Sequence, residues 1–302
     1  MYHFCTITTY DHLFKVFALA DSLCAIYTQT TLHVLCIDKK NIGDAHPHCK
    51  FHELEDLKQE PIFDKIKSKY SSEKDKLRWC MKPVFLSYLL KQTDKVIYLD
   101  NDICLFGAFD FLFALLDKHS FLLTPHHYSR DPQKEQNWFE ANFRVGLFNA
   151  GFVAVSRTAG DSLRWWAEAC AYRCEKSALR GLFDDQKYLD LIPVMDENAF
   201  ILRHRGCNVA EWNRAEIPRT QKPDGSVWLA DKYPLIFIHF NHTTIRAIHY
   251  GLEPCLTKYL DSYLSLLKKY KPSVQAEQMI RTDSLIDKMK YYIWKIATDL
   301  NV

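Results

Sequence analysis

Short apolar runs separated by polar segments predict most of the secondary structure of this chain. The first forty residues contain a strand at 2–9, a helix at 13–27 and a strand at 31–38. A strand-helix-strand order of this kind is typical of a parallel sheet with right-handed crossovers. Ligands of such sheets bind beyond the carboxyl ends of the strands. We therefore expect an α/β fold with a ligand at the rim that holds residues 6–10 and Asp38.

The later part of the chain is less regular but still alternates between apolar and polar segments. It predicts a helix at 77–90 with Pro83 in its first turn, strands at 95–99, 120–127 and 146–157, a helix at 160–178, a further helix that begins near 182, and strand-to-loop junctions at 203–213 and 234–244. Residues 56–76 are expected to be a solvated helix or loop, and residues 129–146 a mobile loop at the rim. Trp165 and Trp166 are expected in the core.

Composition and charge narrow the class of protein. Of 302 residues, 48% are apolar and 14% aromatic, so the chain is expected to form one large domain with appendages. The formal net charge is only +2, and no nucleic-acid partner is expected. The ten cysteines lack the spacing of a zinc site, which fits a reducing compartment. Neither a secretion signal nor a long apolar span is recognisable, so a cytoplasmic location is expected.

An acidic triplet, Asp100-Asn101-Asp102, interrupts the apolar run 95–106. Carboxylates are costly to bury unless a cation or hydrogen-bond donors compensate for them. An Asp-x-Asp pair at the end of a strand forms a compact oxygen site for Mg²⁺ or Mn²⁺, although such pairs are also common in solvated loops. His239 or His242, at the end of a later apolar strand, would complete a metal site if the strand ends share one rim.

Seven short motifs follow one another in an order that resembles a known family. They are FCTITTYD, MKP, YLDNDICLF, FNAGF, DDQ, NVAEWN and IHFNH, within about residues 3–246. In this order they resemble the GT-A nucleotide-sugar glycosyltransferases, nearest to glycosyltransferase family 8, the glycogenin and lipopolysaccharide galactosyltransferase group. The resemblance implies a Rossmann-like, mostly parallel sheet flanked by helices, with a catalytic and nucleotide-sugar-binding domain at 1–255 and a C-terminal helical extension at 256–302.

The same resemblance implies an activity. The chain would move a sugar from a nucleotide-diphosphate sugar, with a UDP-sugar as the expected donor, to a glycan or glycolipid acceptor. It would use Mn²⁺ or Mg²⁺ and would retain the configuration of the sugar. The setting would be bacterial polysaccharide or lipopolysaccharide synthesis.

The resemblance also implies roles for individual residues. The residues that it places at the donor are Thr6, Ile7, Thr8, Tyr10, Asp38, Arg78, Lys82, Asp100, Asn101, Asn149, Gly151, Asn241 and Arg246. The implied metal ligands are Asp100, Asp102 and His239, and the implied catalytic residues are Asp185 and Gln186 beside the transferred sugar, with Asp184 or Asp185 as the base that an inverting enzyme would need. Trp212 and Asn213 would contact the acceptor sugar, or would form a capped turn with a packed indole.

One segment departs from the family pattern. After the late histidine the family usually has a small residue and then a lysine that grips the diphosphate, whereas this chain continues with Phe240 and Asn241. Arg246 is the expected substitute, because a guanidinium binds phosphate through two parallel hydrogen bonds.

Two other classes of protein fit parts of the same pattern. In a haloacid-dehalogenase-type phosphohydrolase, Asp100 would be a nucleophile, Asp102 a general acid and residues 183–185 the late acidic pair. In that class, however, the acidic motif usually follows the opening strand, whereas here two strand-helix elements precede it. A sugar-binding module without turnover would retain the pocket alone.

The C-terminal segment predicts an amphipathic helix. Residues 284–300 place apolar side chains on one stripe, with lysines outside it. Such a stripe usually packs on its own domain or on a partner. The alternative is a peripheral contact with an anionic membrane at the inner face, aided by Lys268, Lys269 and Lys271.

Overall fold

The computed structural model of the protein describes residues 1–43 and 45–280. Its strands are β1 Tyr2–Thr8, β2 Thr30–Cys36, β3 Cys49–His52, β4 Lys95–Leu99, β5 Ile103–Leu105, β6 Phe121–Pro125, β7 Phe148–Ser156, β8 Lys176–Ser177, β9 Leu182–Phe183, β10 Phe200–Ile201, β11 Arg219–Gln221, β12 Val227–Leu229, β13 Tyr233–Pro234 and β14 Phe237–His239. Its α-helices are α1 Leu13–Ile26, α2 Phe63–Tyr70, α3 Lys74–Leu90, α4 Asp110–Leu115, α5 Gln136–Arg144, α6 Gly160–Tyr172, α7 Ile192–Met195, α8 His242–His249, α9 Thr257–Tyr270 and α10 Ala276–Met279.

A seven-stranded sheet forms the centre of the protein, in the order β10-β6-β7-β4-β1-β2-β3. Its strands pair in parallel except β7, which runs antiparallel to both β4 and β6. The expected α/β class with a mostly parallel sheet is therefore confirmed. The reversal of β7 brings its amino end, not its carboxyl end, to the rim where β4 ends.

A separate two-stranded sheet carries the late histidine. β14 pairs antiparallel with β5, and His239 lies opposite Ile103, one residue after the acidic triplet. The prediction that the acidic triplet and the late histidine come together is thus correct, but the two segments are not neighbours in the central sheet. They meet through a direct pairing outside the central sheet.

Helices cover both faces of the central sheet. Within β4, Val96 and Tyr98 face the cluster that contains α3 and α6, whereas Ile97 and Leu99 face the cluster that contains α1 and α4. A strand that is buried on both faces has an apolar run without alternation, as in the sequence before Asp100. β4 is therefore held rigidly on both sides where it delivers the acidic triplet to the rim.

Five local predictions were wrong. The helix expected to begin near residue 182 is instead the short strand β9, followed by a 3-10 helix at Lys187–Leu191. α3 begins at Lys74, so Pro83 lies inside the helix and removes one backbone hydrogen bond, instead of occupying the first turn. The segment 56–76 is not simply solvated, because α2 buries Phe63 and Ile66. The segment 129–146 contains α5. The helix that was expected to reach residue 178 ends at Tyr172.

The end of the described chain packs on the main fold. α9 shares an apolar cluster with α8, Phe240 and part of α1. The amphipathic stripe at 284–300 lies outside the described residues. Among the described residues, no helix combines the length and apolar character needed to cross a lipid bilayer.

Candidate active site

Asp100 and Asn101 are fixed where β4 reaches the rim. The backbone N–H of Asp100 donates to the carbonyl of Gly151 at 2.8 Å. The hydroxyl of Tyr98 donates to Asp100 Oδ1, also at 2.8 Å. The Asn101 amide donates to Thr8 Oγ1 at 3.0 Å, which ties the end of β4 to the end of β1. The acidic triplet is thus an ordered part of the rim.

Asp100, Asp102 and His239 form a cluster with the donor set of a divalent metal site. One ligand atom from each of the three lies within 4.8 Å of the other two. His239 Nε2 lies 3.0 Å from Asp102 Oδ1, and its Nδ1 lies 3.3 Å from the amide oxygen of Asn208. Two carboxylates and one imidazole suit a divalent metal ion, and the contact with Asn208 orients the imidazole ring. The three residues named from the sequence therefore fit a metal ion.

The contact between Asp102 and His239 changes the acidity of both groups. Burial opposes the charge on each side chain, yet the contact lowers the pKa of Asp102 below its ordinary value and raises that of His239. The pair therefore holds opposite charges when no cation lies between them. A metal ion would displace the proton of the imidazolium on binding.

Gly151 leaves room at the centre of this cluster. A Cβ at this position would lie 2.5 Å from His239 Cε1, 2.7 Å from Asn149 Oδ1 and 2.9 Å from Asp100 Oδ2. All three distances are below van der Waals contact, so any side chain would displace a residue of the cluster. Only glycine allows the start of β7 to approach both carboxylate and imidazole.

Lys82 is a buried cation beneath the acidic triplet. Its Nζ lies 3.1 Å from Asp185 Oδ2 and 3.6 Å from Asp100 Oδ1, and it donates to the carbonyl of Ala150 at 3.0 Å. Burial raises the pKa of Asp185 to about 6 despite the adjacent lysine. Burial likewise disfavours the lysine charge, but Asp100 and Asp185 raise the pKa of Lys82. Lys82 therefore joins the two acidic segments that the sequence analysis had named separately.

The side chains of Asp184, Asp185 and Gln186 do not all point towards the metal cluster. Gln186 Oε1 accepts from the Asn149 amide at 3.2 Å and from the N–H of Ala150 at 3.1 Å, beside Gly151. Asp184 adopts a left-handed backbone, with φ 48°, and its carboxylate faces Lys176 at 3.3 Å. Asp185 and Gln186 thus lie with the predicted cluster, whereas Asp184 pairs elsewhere.

The residues expected at the nucleotide lie along the ends of β1 and β2. Tyr10 is 53% exposed, and its backbone N–H donates to Asp38 at 2.8 Å. Thr6 and Ile7 are buried within β1, so their side chains belong to the sheet interior. Asp38 is engaged with Lys74 at 2.8 Å. The exposed ring of Tyr10 is the surface on which a base could stack.

The remaining predicted residues occupy structural positions around the site. Arg78 pairs with Asp75 on α3 at 2.7 Å, one turn before Lys82. Asn241 caps α8 by accepting from the N–H of Thr244, and Arg246 lies one turn into that helix. The Trp212 ring packs edge-on against His239, with centroids 5.3 Å apart. The side chain of Asn213 is buried and donates to the carbonyl of Asn208.

Three residues of the site were missed by the sequence analysis. Asn208 donates to Asn149 at 3.1 Å and orients His239, from a left-handed backbone with φ 61°. His126 contacts the Asn149 amide at 3.2 Å. Tyr98 holds Asp100. Tyr98 stands two positions before Asp100 on one strand, which is a signal that could have identified it, because alternate residues share a face.

Comparison with known proteins gives a family match. Residues 28–175 match the family model described as Glycosyl transferase family 8. Two proteins of Bacillus subtilis strain 168 are similar along most of their length. The uncharacterized protein YfnF is 27% identical over 256 residues, 82% of this chain and 83% of its own, and the uncharacterized protein YfnD is 29% identical over 255 residues, 81% of this chain and 78% of its own. A solved structure of the galactosyltransferase LgtC with donor and acceptor sugar analogues is 14% identical, covers 88% of this chain and 95% of that chain, and has a TM-score of 0.48.

Proposed function

We propose that this chain is a glycosyltransferase of the family 8 type and that its donor is a nucleotide-diphosphate sugar, uridine-linked, held through Mn²⁺ or Mg²⁺. The observation that carries this proposal is the cluster of Asp100, Asp102 and His239 around Gly151. An oxygen-rich site with one imidazole has the composition of a divalent metal site that leaves positions open for phosphate oxygens.

The chemistry of the transfer explains why a cation is needed at this point. When the bond between sugar and diphosphate breaks, negative charge develops on the leaving oxygens and the anomeric carbon becomes cation-like. A divalent ion bound by Asp100, Asp102 and His239 would supply positive charge to the leaving diphosphate. Arg246 is proposed to contact the same phosphates from α8.

The chain itself would position the sugar. Gly151 admits the donor against the start of β7, and Asn149 and Gln186 offer amide groups beside it. Lys82 keeps Asp100 and Asp185 at fixed separation. The two carboxylates that could act as a base for inversion are both engaged, Asp185 with Lys82 and Asp184 with Lys176. This arrangement favours a retaining reaction, which needs no such base.

The proposed acceptor is a glycan or glycolipid of bacterial polysaccharide or lipopolysaccharide synthesis, and the proposed location is the cytoplasm. Trp212 and Asn213 are proposed to lie on the acceptor side, with 1–255 as the catalytic domain and 256–302 as its extension. A peripheral membrane contact through the C-terminal segment is part of this proposal. Deletion of 272–302 should then reduce sedimentation with anionic vesicles, and unchanged sedimentation would contradict the contact.

A thermal-shift screen of UDP-sugars tests the donor assignment. A ligand present at 100 times its Kd stabilises the native state by about 2.7 kcal/mol, so the correct donor should raise Tm in the presence of Mn²⁺. EDTA should remove most of that shift. Release of phosphate from p-nitrophenyl phosphate, without any response to nucleotide sugars, would instead support a phosphohydrolase. Metal-dependent binding without donor hydrolysis or transfer would indicate a binding module.

A further inference from the structure

A cavity of about 340 Å³ lies at the same rim as the candidate active site. Its walls include Arg130, Arg203, Arg205, His127 and Tyr128, and we call it the basic cavity. Its volume falls in the range of small-molecule sites. None of these five residues belongs to the donor, metal or acceptor assignments above.

The basic cavity carries uncompensated positive charge. Arg130 is paired with Glu216, which accepts from its N–H and its Nε, each at 2.7 Å. Among the described residues, Arg205 donates to the backbone carbonyl of Glu216 at 3.0 Å, and a carbonyl does not neutralise its charge. Arg203 is exposed, and no hydrogen bond or ion pair joins it to the other described residues. Three guanidinium groups therefore face one carboxylate.

The remaining walls are neutral. Burial and the nearby Arg205 lower the pKa of His127 to about 4, so its ring is uncharged at neutral pH. His127 also adopts a left-handed backbone, with φ 52°. Pro125, Tyr128 and Phe148 add an apolar surface.

The sheet order gives the distance from this cavity to the metal cluster. The basic cavity lies beyond the carboxyl ends of β6 and β10, which are two and three strands away from β4. Adjacent strands are about 4.8 Å apart, so the separation along the rim is roughly 10 to 14 Å. Stacked rings connect the basic cavity to the metal cluster. The ring centroids of Tyr128 and His126 are 4.5 Å apart, and His126 contacts Asn149.

We propose that the basic cavity binds a phosphate group carried by the acceptor. This inference rests on the proposed transfer to an acceptor, and it adds the chemical class of that acceptor. The planar fork of arginine matches phosphate oxygens through two parallel hydrogen bonds, and an excess of two positive charges complements a phosphate dianion. The apolar wall would hold the glycerol or sugar next to the phosphate. The separation of roughly 10 to 14 Å places that group beside, and not inside, the donor site.

The direct test measures binding of sn-glycerol 3-phosphate and of inorganic phosphate by calorimetry, with EDTA present so that no metal-dependent phosphate site forms. Arg203→Gln should weaken sn-glycerol 3-phosphate binding about tenfold or more. Arg203→Lys should weaken this binding less, because lysine keeps the positive charge. Arg164→Gln is the matched control, since it removes an exposed arginine from α6, outside this cavity. Absence of saturable binding to the wild type, or equal weakening in Arg164→Gln, would overturn the proposal. Tighter binding of glucuronate than of sn-glycerol 3-phosphate would overturn the phosphate assignment.

Two further measurements separate this proposal from the proposed function. Arg203→Gln should leave donor hydrolysis with Mn²⁺ unchanged, and Asp102→Asn should leave sn-glycerol 3-phosphate binding unchanged. If no nucleotide sugar is hydrolysed but the probe binds through Arg203, the donor assignment fails and the phosphate site stands. If a donor is hydrolysed but the probe does not bind, the phosphate site alone is refuted.

Discussion

At the residue scale, Gly151 shows how the absence of a side chain helps to build the site. Replacing it with alanine should displace His239, Asn149 or Asp100, because the added Cβ would come within 2.9 Å of each. We expect donor hydrolysis by Gly151→Ala to fall by roughly 100-fold, as is usual when a catalytic geometry shifts by about 1 Å. Steady-state kinetics at saturating Mn²⁺ would measure the change.

Gly160→Ala is the matched control for this substitution. Gly160 begins α6, and a Cβ there would meet nothing within 4 Å. Its activity should equal that of the wild type, and its stability should rise by a few tenths of a kcal/mol, up to about 1. Full activity in Gly151→Ala would show that His239, Asn149 and Asp100 can move apart to make room for the added Cβ without loss of function.

Lys82 supports a prediction about stability. Its replacement by methionine would leave Asp185 buried without its cation, and breaking a buried pair on one side costs about 3–5 kcal/mol. The double variant Lys82→Met with Asp185→Asn should recover part of that loss, because no isolated charge remains. Urea unfolding measures both variants. Equal stability of the single and double variants would show that Lys82 and Asp185 are not coupled.

Individual site residues could be recognised from the sequence only where a local pattern marks them. Asp100 and Asp102 interrupt an apolar strand, and His239 ends another, so all three were candidates from the sequence. Asn208 was not found, because its role comes from a left-handed turn and from contacts to Asn149 and His239 that are distant in the chain. The burial of Lys82 between two acidic segments is also a property of the folded chain.

At the element scale, the direction and partners of strands were the main unknowns. The sequence of β7 predicts a strand but does not indicate that it runs antiparallel, and β14 pairs with β5 outside the main sheet. Both choices depend on long-range packing, which leaves no periodic signal in the strand itself. α5 was missed although Trp138, Ala141 and Val145 recur at helical spacing and pack in one small apolar cluster, because only Ala141 is fully buried and polar residues separate the three.

The first three strands carry a chain of histidines that predicts a pH dependence. His33 contacts His3 at 3.1 Å and His52 at 3.0 Å. Burial lowers the pKa of His33 to about 3 and that of His52 to about 4, so both rings are neutral in the folded protein. In the unfolded chain they take up protons below a pH of about 6.5. Stability is therefore complete above that pH and should decrease as the pH falls from about 6.5 towards 4.

Urea unfolding between pH 7.5 and 5.0 tests this linkage. Each of the two histidines can contribute at most roughly 1.4 kcal/mol per pH unit in the affected range. His33→Gln should show a shallower slope than the wild type, even if it is less stable at pH 7.5. Other buried histidines, such as His126, contribute with the same sign, so the difference in slope is the informative quantity. Identical slopes would contradict the assignment to His33.

At the scale of the whole molecule, α9 links the C-terminal segment to the site. Tyr263 of α9 is fully buried and stacks on Phe240 at 4.5 Å, directly after His239. Tyr263→Ala should lower the free energy of unfolding by about 3–5 kcal/mol, as is usual for loss of a buried aromatic ring.

Tyr263→Phe is the control, because the Tyr263 hydroxyl is buried without a hydrogen-bond partner in the described structure. It should be neutral or slightly stabilising. A small effect of Tyr263→Ala would contradict a stabilising role for the contact between α9 and Phe240.

We propose that Asp102 holds the divalent ion that the transfer requires. The most direct test is the Mn²⁺ dependence of donor hydrolysis by Asp102→Asn, with circular dichroism to confirm that the variant is folded. We expect a folded protein whose metal-dependent turnover is reduced by about 100-fold or more, since the developing charge on the diphosphate would lose its counter-ion. A folded variant with the turnover and Mn²⁺ response of the wild type would contradict the account.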